Sequence, residues 1–299
     1  MANILITGGS GMLGTRLTKL LLKKKHRVVH VGRSRNSRSP VKVYLWNPEK
    51  NFIEDAALDG IDFIIHLAGE NLAGKKWSLE QKQNIINSRI KAPEFLFSKL
   101  KERGQSIQGF FSASGINIYP PDTDKIHSEE DQPALNFIAN VVVKWEEAAH
   151  RFDEMCRVAC FRFGIILDRN EGALPKMAFP IQFGFGAAIG SGKQNVTWIH
   201  AEDAARCFLW AIENQEVKGD FNAIAPQNLS NKALTKAIAK QFKMPLILPN
   251  IPSPIIRLMF GEMSELLLSG PKASSDKLMQ SGFQFHFPEI ESALQEIYS

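Results

Sequence analysis

Gly8, Gly11 and Gly14 stand three residues apart, directly after the apolar run Ile4–Thr7 and at the head of a segment with helical period. Glycine permits a tight turn, lets backbone N–H groups approach a phosphate, and allows a helix to pack close to a strand. The helix that follows offers free N–H groups and the positive end of its dipole to an anion. Strand, glycine turn and helix in that order make a cradle for the pyrophosphate of a dinucleotide, with Ser10, Met12 and Leu13 beside the glycines.

About twenty residues on, the end of the second apolar run decides which dinucleotide. An Asp or Glu there would hold a ribose 2′-hydroxyl. The chain instead has Gly32-Arg33-Ser34-Arg35, with no acid nearby. A guanidinium pairs bidentately with phosphate. Arg33 is therefore expected to hold a 2′-phosphate, with Arg35 in reserve, and NADP(H) is expected over NAD(H).

These residues need a scaffold. The runs Ile4–Thr7, Val28–Val31, Val41–Leu45, Ile61–Leu67, Phe110–Ser112 and Ala159–Ile166 read as strands. Gly11–Lys24, Leu79–Arg103 and Leu135–Met155 read as helices; in the last, Phe137, Val141, Trp145, Ala148, Ala149 and Phe152 recur at spacings of three and four. Strands alternating with helices predict an α/β fold, a doubly wound parallel sheet of Rossmann type. Residues 172–192, rich in Gly, Phe and Pro, read as a loop or lid. Beyond Pro245, Pro254–Gly270, Ser274–Ser281 and Pro288–Ile297 read as short helices of a smaller, mostly helical part. The expected division is 1–165 with 196–225 for the dinucleotide, and 166–195 with 226–299 for the substrate.

Composition narrows the classes. With 44% hydrophobic and 22% charged residues among 299, the chain can bury a sizeable core. A net charge of +5 is mild, and the clusters Lys23-Lys24-Lys25-His26-Arg27 and Arg33-Ser34-Arg35 lack interleaved aromatics, so no nucleic-acid partner is expected. Apolar runs such as Ile61–Leu67 fall far short of the ~20 residues of a membrane helix, so no membrane partner is expected. The opening MANILITGGSG enters a strand at once, which predicts no signal peptide. Cys156, Cys160 and Cys207 match neither a zinc spacing nor a C-x-x-C pair, and fit a reducing cytoplasm. No metal-ligand spacing and no G-x-S-x-G elbow occurs.

The chain resembles the extended short-chain dehydrogenase/reductase family, which includes the NAD(P)-dependent nucleotide-sugar epimerases and dehydratases. The resemblance rests on Thr7–Gly14, His66-Leu67-Ala68-Gly69, Phe111-Ser112-Ala113-Ser114, Arg162-Phe163-Gly164, and Trp198-Ile199-His200 with Asp203. It is similar more closely to a sugar-epimerase-like subfamily with a small C-terminal domain, through Lys76-Trp77-Ser78, Ser88-Arg89-Ile90, Gly190-Ser191-Gly192-Lys193-Gln194 and Gly261-Glu262. The resemblance implies an oxidoreductase or epimerase acting on a nucleotide-sugar-like or other hydroxylated small molecule, as monomer or homodimer. It also implies that Leu67, Ala68 and Gly69 line the dinucleotide, with Arg89 near its nicotinamide half and Gly164 beside it.

Relatives that do redox chemistry on a hydroxyl use a Ser with a Y-x-x-x-K pair, which sets phenol and ammonium one helical turn apart. Here four residues after Tyr44 comes Pro48, Tyr119 is followed by no such lysine, and Tyr298 is penultimate. If Lys144 is the family lysine, Asn140 stands in the tyrosine's place, and an amide is no general base near pH 7. A register shifted by one or two gives Ala139 or Ile138. Ser114 remains to orient a reacting oxygen, and Tyr119 or His200 is the expected proton carrier. The alternative is an NADP(H)-binding sensor or scaffold without turnover.

Overall fold

The computed structural model describes residues 1–121 and 124–299. Eight strands form the central sheet: β1 (Asn3–Thr7), β2 (Arg27–Gly32), β3 (Val43–Asn47), β4 (Phe52–Ile53), β5 (Phe63–His66), β6 (Gly109–Gly115), β7 (Arg157–Phe163) and β8 (Gly219–Ala223). Their order is β8-β7-β6-β5-β1-β2-β3-β4, and every neighbouring pair is parallel except β3 with the edge strand β4. The order reverses at β1, which pairs β2 on one side and β5 on the other. In open α/β sheets ligands settle in the crevice beyond the carboxyl ends of the strands at such a reversal. Thr7 and His66 end the two strands there, side by side.

The β period of two sends alternate residues to opposite faces. Ile4, Ile6, Phe63, Ile65 and Phe111 pack with α1 (Met12–Lys23) and with α5 (Ala201–Glu213). Leu5, Ile64 and Phe110 pack on the other side with α2 (Leu79–Glu102), beside which lies α3 (Phe137–His150). Both faces are covered, which is why these strands read as unbroken apolar runs.

Three predicted elements are cut, among them the helix expected over Pro254–Gly270, which divides into Ser253–Phe260, a 3-10 turn at Gly261–Ser264 and Glu265–Leu268. The strand expected over Ala159–Ile166 breaks at Gly164, where any Cβ would overlap the Thr197 carbonyl; Ile165–Leu167 then pairs separately with Trp198–His200. The helix expected over Leu135–Met155 ends at His150, and Arg151–Glu154 continues as a 3-10 turn.

A third apolar cluster lies outside the sheet, between α4 (Leu174–Gln182), α6 (Asn231–Gln241) and the C-terminal helix. The loop expected over 172–192 therefore contains a helix. Leu174, Ala178 and Ile181 recur at helical spacing and are buried, while Pro175 sits in the first turn, where its missing N–H costs nothing. Pro180 falls two residues before the end, so the helix stops soon after it. The chain finishes with α7 (Ser253–Phe260), α8 (Glu265–Leu268), α9 (Asp276–Gln280) and α10 (Ile290–Tyr298). Among the described residues no helix is long and apolar enough to cross a membrane.

Candidate functional site

The glycine turn lies at the reversal of the sheet. Gly8 has φ +71°, and a Cβ there would also stand 2.8 Å from the Ala68 nitrogen, so the turn admits only glycine. A Cβ on Gly14 would overlap the Gly8 carbonyl oxygen. Gly11 donates to that oxygen at 3.1 Å and begins α1 without any side-chain cap, which leaves first-turn N–H groups for a ligand. Thr7 clamps the neighbouring strand end: its hydroxyl accepts from the Leu67 and Ala68 nitrogens at 3.2 Å and meets His66 Nδ1 at 2.8 Å. Ser10, Gly11 and Gly69 are exposed at the rim, with Met12, Leu67 and Ala68 half-buried. Leu13 turns its side chain into the core, so only its backbone is available to a ligand. Gly164 serves the close approach to Thr197 described above.

At the end of β2 the two arginines differ. Arg35 pairs with Glu54 at 2.5 Å, and Glu54 also accepts from the Leu45 nitrogen. Arg33 is exposed and has no hydrogen bond or ion pair among the described residues. Arg33 is the uncommitted cation of that corner.

Opposite the turn, α2 brings Arg89 against Gly69. Arg89 is 6% exposed, lies 4.9 Å over the Trp145 ring, and donates from Nη1 to the Ile85 carbonyl and Ser88 hydroxyl. Its Nε has no partner, nor has His66 Nε2 close by. Burial lowers Arg89 to about 10, against the pull of Glu70. Burial, helped by Arg89, takes His66 down to about 3, so its imidazole is neutral. The turn holds its shape through glycines whose Cβ would strike backbone, its first-turn N–H groups are free for an anion, and the buried Arg89 cation borders Gly69 beside it. These residues fit a dinucleotide.

Ser114, Arg162 and Asn222 form one row across β6, β7 and β8. The Ser114 hydroxyl donates to Glu146 of α3 at 2.6 Å. Arg162 grips Glu146 through Nε and Nη2 at 2.8 and 2.7 Å, and reaches Asp220 at 2.8 Å. Burial works against the Arg162 charge, but Glu146 outweighs it and holds the guanidinium above its ordinary pKa. The Tyr119 hydroxyl accepts from Arg162 at 2.8 Å and donates to Asn222 at 2.9 Å, and its ring stacks on His127. Burial raises Tyr119 to about 12 despite Arg162.

The structure thus joins Ser114 and Tyr119 through Glu146 and Arg162. His200 is elsewhere. It is fully buried, meets Glu296 of α10 at 2.8 Å, accepts from the Glu202 nitrogen as the cap of α5, and packs on Phe287. Burial lowers its pKa, opposed by Glu296. Asn140 is exposed, and Lys144 is half-buried without a hydrogen bond or ion pair among the described residues.

Glu146, Asp220 and Asn222 are the residues that sequence reasoning missed. A lone charge inside the apolar run Val158–Phe163 was the available signal, since a buried arginine demands a carboxylate. Beyond Asp220 the network ends at His150, whose ring nitrogens meet Asp220 at 2.9 Å and Asp153 at 2.8 Å. His150 Nε2, Cys160 Sγ and an Asp220 oxygen lie within 4.8 Å of one another, but Arg162 already supplies the countercharge of Asp220.

Those contacts make a pH prediction. The Asp220 hydrogen bond, against desolvation and with help from Asp153, raises His150 from 6.5 to about 9. A raised histidine stabilises the fold fully below its unfolded pKa and loses that contribution as pH climbs through the folded value. Urea midpoints taken between about pH 6 and 10 should fall on the alkaline side, and His150→Gln should flatten that limb. An unchanged limb in the variant would show that another group titrates there.

The sequence pattern of the NAD dependent epimerase/dehydratase family matches residues 4–165, and a domain of unknown function, DUF1731, matches residues 251–297. An epimerase family protein of Staphylococcus aureus (strain MRSA252) is 33% identical over 305 residues, covering 100% of both chains. The crystal structure of human epimerase family protein SDR39U1 (isoform2) with NADPH superposes with a TM-score of 0.90 at 29% identity, over 99% of this chain and 98% of that one. UDP-N-acetylglucosamine 4-epimerase from Bacillus cereus shares the fold, with a TM-score of 0.74 at 17% identity over 100% of this chain and 96% of its own. By the match over more than half its length and relatives above 30% identity from end to end, the chain belongs to the NAD dependent epimerase/dehydratase family.

Proposed function

We propose that this chain binds NADP(H) across the β1/β5 reversal and acts as an oxidoreductase or epimerase on a nucleotide-sugar-like or other hydroxylated small molecule. The carrying observation is the glycine turn with uncapped first-turn N–H groups at the sheet reversal, and the exposed, unpaired Arg33 at the end of β2. The human relative crystallised with NADPH supports the choice of cofactor. The substrate falls to residues 166–195 with 226–299, which include the exposed Lys193.

Bound NADP(H) supplies hydride acceptance and donation. The protein's own part begins at Ser114. Its proton is donated to Glu146, so toward a substrate it has lone pairs to offer, and it would accept from a hydroxyl rather than donate to a carbonyl. Tyr119 and His200 hold the scaffold: one keeps Arg162 on Glu146, and the other ties α5 to α10. On the register that makes Lys144 the family lysine, exposed Asn140 takes the phenol's place, and water is then the proton carrier at the reacting oxygen.

A second reading is favoured by the same residues. Tyr119 and His200 are both spent on internal hydrogen bonds, and no Y-x-x-x-K exists, as in a protein that binds NADP(H) without turnover. Incubation with NADP and a panel of UDP-sugars, following the absorbance of the reduced nicotinamide and the epimer composition, separates the two.

The cofactor assignment has its own test. Titration should show NADPH binding more tightly than NADH. Arg33→Ala should lose roughly 1.5–3 kcal/mol for NADPH, about tenfold or more, with NADH unchanged. Arg35→Ala should change little, because Arg35 is already paired. Equal affinity of the wild type for both cofactors would overturn the assignment.

A further inference from the structure

Two stretches of the outer lobe (166–195 with 226–299), namely 172–195 and 226–261, contain no Asp or Glu. At the chain's average of 31 acids in 299 residues they would carry about six. They do carry cations. Lys232, Lys236 and Lys240 recur every fourth residue and are exposed along one side of α6, followed by exposed Lys243. Lys176 and Lys193 lie in the first stretch, and Arg257 on α7.

The same stretches hold large apolar side chains in water. Phe179 and Phe183 are 65% and 61% exposed and meet edge to face at 5.2 Å; with Lys176 they recur at three and four along the outward side of α4. Phe185, Ile247 and Leu248 are exposed on the two loops that run beside each other, joined where Gly186 abuts Leu246 and where Ile189 bridges Ile251. On α7, which follows directly, Ile255, Leu258 and Met259 share the exposed face, Leu258 at 84%. α4 packs on α6, so the lysine row and the phenylalanines belong to one body. The nearest carboxylates in the chain stand outside these stretches: Glu171 before α4, Glu262 and Glu265 after α7, and Glu289, Glu291 and Glu296 at α10, of which Glu262 is paired with Lys82 and Glu296 with His200.

Aromatic and aliphatic side chains set among lysines, with no acid between them, match the boundary of an anionic bilayer. Apolar groups enter the headgroup layer while ammonium groups meet lipid phosphates. Protein–protein interfaces are depleted in lysine, whereas here lysines dominate the cations set beside the apolar side chains. We propose that the outer lobe, through the α4–α6 face and the adjoining loops and α7, rests on anionic membrane surfaces. No spanning helix is needed for that, and the expectation of no membrane partner rested on spanning alone. The inference is independent of the cofactor reading.

Vesicle flotation of the full chain tests it, using phosphatidylcholine vesicles with and without about 30% phosphatidylglycerol. The protein should float with the anionic vesicles only, and less so as salt rises. Lys236→Glu with Lys240→Glu, and separately Phe179→Ser with Phe183→Ser, should each weaken binding at least tenfold while leaving NADPH affinity unchanged. Absence of flotation with anionic vesicles overturns the proposal, as does flotation indifferent to both pairs. Light scattering that shows a dimer dissociated by the same pairs, with no vesicle binding, would assign the face to a second copy instead.

Discussion

Arg162→Met should lower the unfolding free energy by about 3–5 kcal/mol, because it strips a buried carboxylate of its countercharge. Glu146 would lose two charge-assisted hydrogen bonds, Asp220 one, and the Tyr119 hydroxyl its donor. Methionine matches the volume but offers none of these. Urea denaturation measures the loss directly. Adding Glu146→Leu should restore part of it, since the second change removes the stranded charge at the cost of the single Ser114 hydrogen bond. A single-variant loss below about 1 kcal/mol would mean that water reaches the cluster and that its burial has been overstated.

Gly14→Ala should reduce NADPH affinity about a hundredfold or more. The new methyl would collide with backbone, the Gly8 carbonyl and the Gly9 Cα, and neither can rotate away. Relief comes only by pushing the turn off α1, which misplaces N–H groups whose hydrogen bonds to a charged phosphate are worth about 1.5–3 kcal/mol each. The overpacking itself should cost about 1–3 kcal/mol of stability. Equilibrium titration and thermal unfolding separate the two effects. An alanine variant that binds NADPH normally would show that the pyrophosphate does not sit on this turn.

The Rossmann half was legible because its signals are local. Ile4–Thr7, three glycines and an amphipathic helix lie within one short segment; the observed β1 begins one residue earlier than that reading, and α1 is one residue shorter at each end. The site's second side was not. Ser114 and Arg89 are candidates by motif position, but Glu146 meets Arg162 sixteen residues away on another element and Asn222 meets Tyr119 at a separation of 103, pairings that local periodicity does not reveal. Tyr119 and His200 attracted attention as titratable groups near a motif, and folding gave each a buried partner. The helix over Leu174–Gln182 was hidden by composition: two prolines and nearby glycines outweighed a clean apolar spacing. Both prolines stand where a helix tolerates them.

Asp203, fully buried in the first turn of α5, accepts from the backbone nitrogens of His286 and Phe287 as well as from Arg206. That carboxylate emerges from the ribosome more than eighty residues before the amides that complete its shell. Throughout that interval Trp210 also lacks Phe283, and Gln227 lacks the Ile290 amide. The nascent chain therefore reaches its full parallel sheet while α5 is still an unfinished surface. Vectorial synthesis leaves this side of the molecule dependent on its distal segment for closure, and a ribosome stalled near residue 280 would display a sheet already formed beneath a charge still waiting for its ligands.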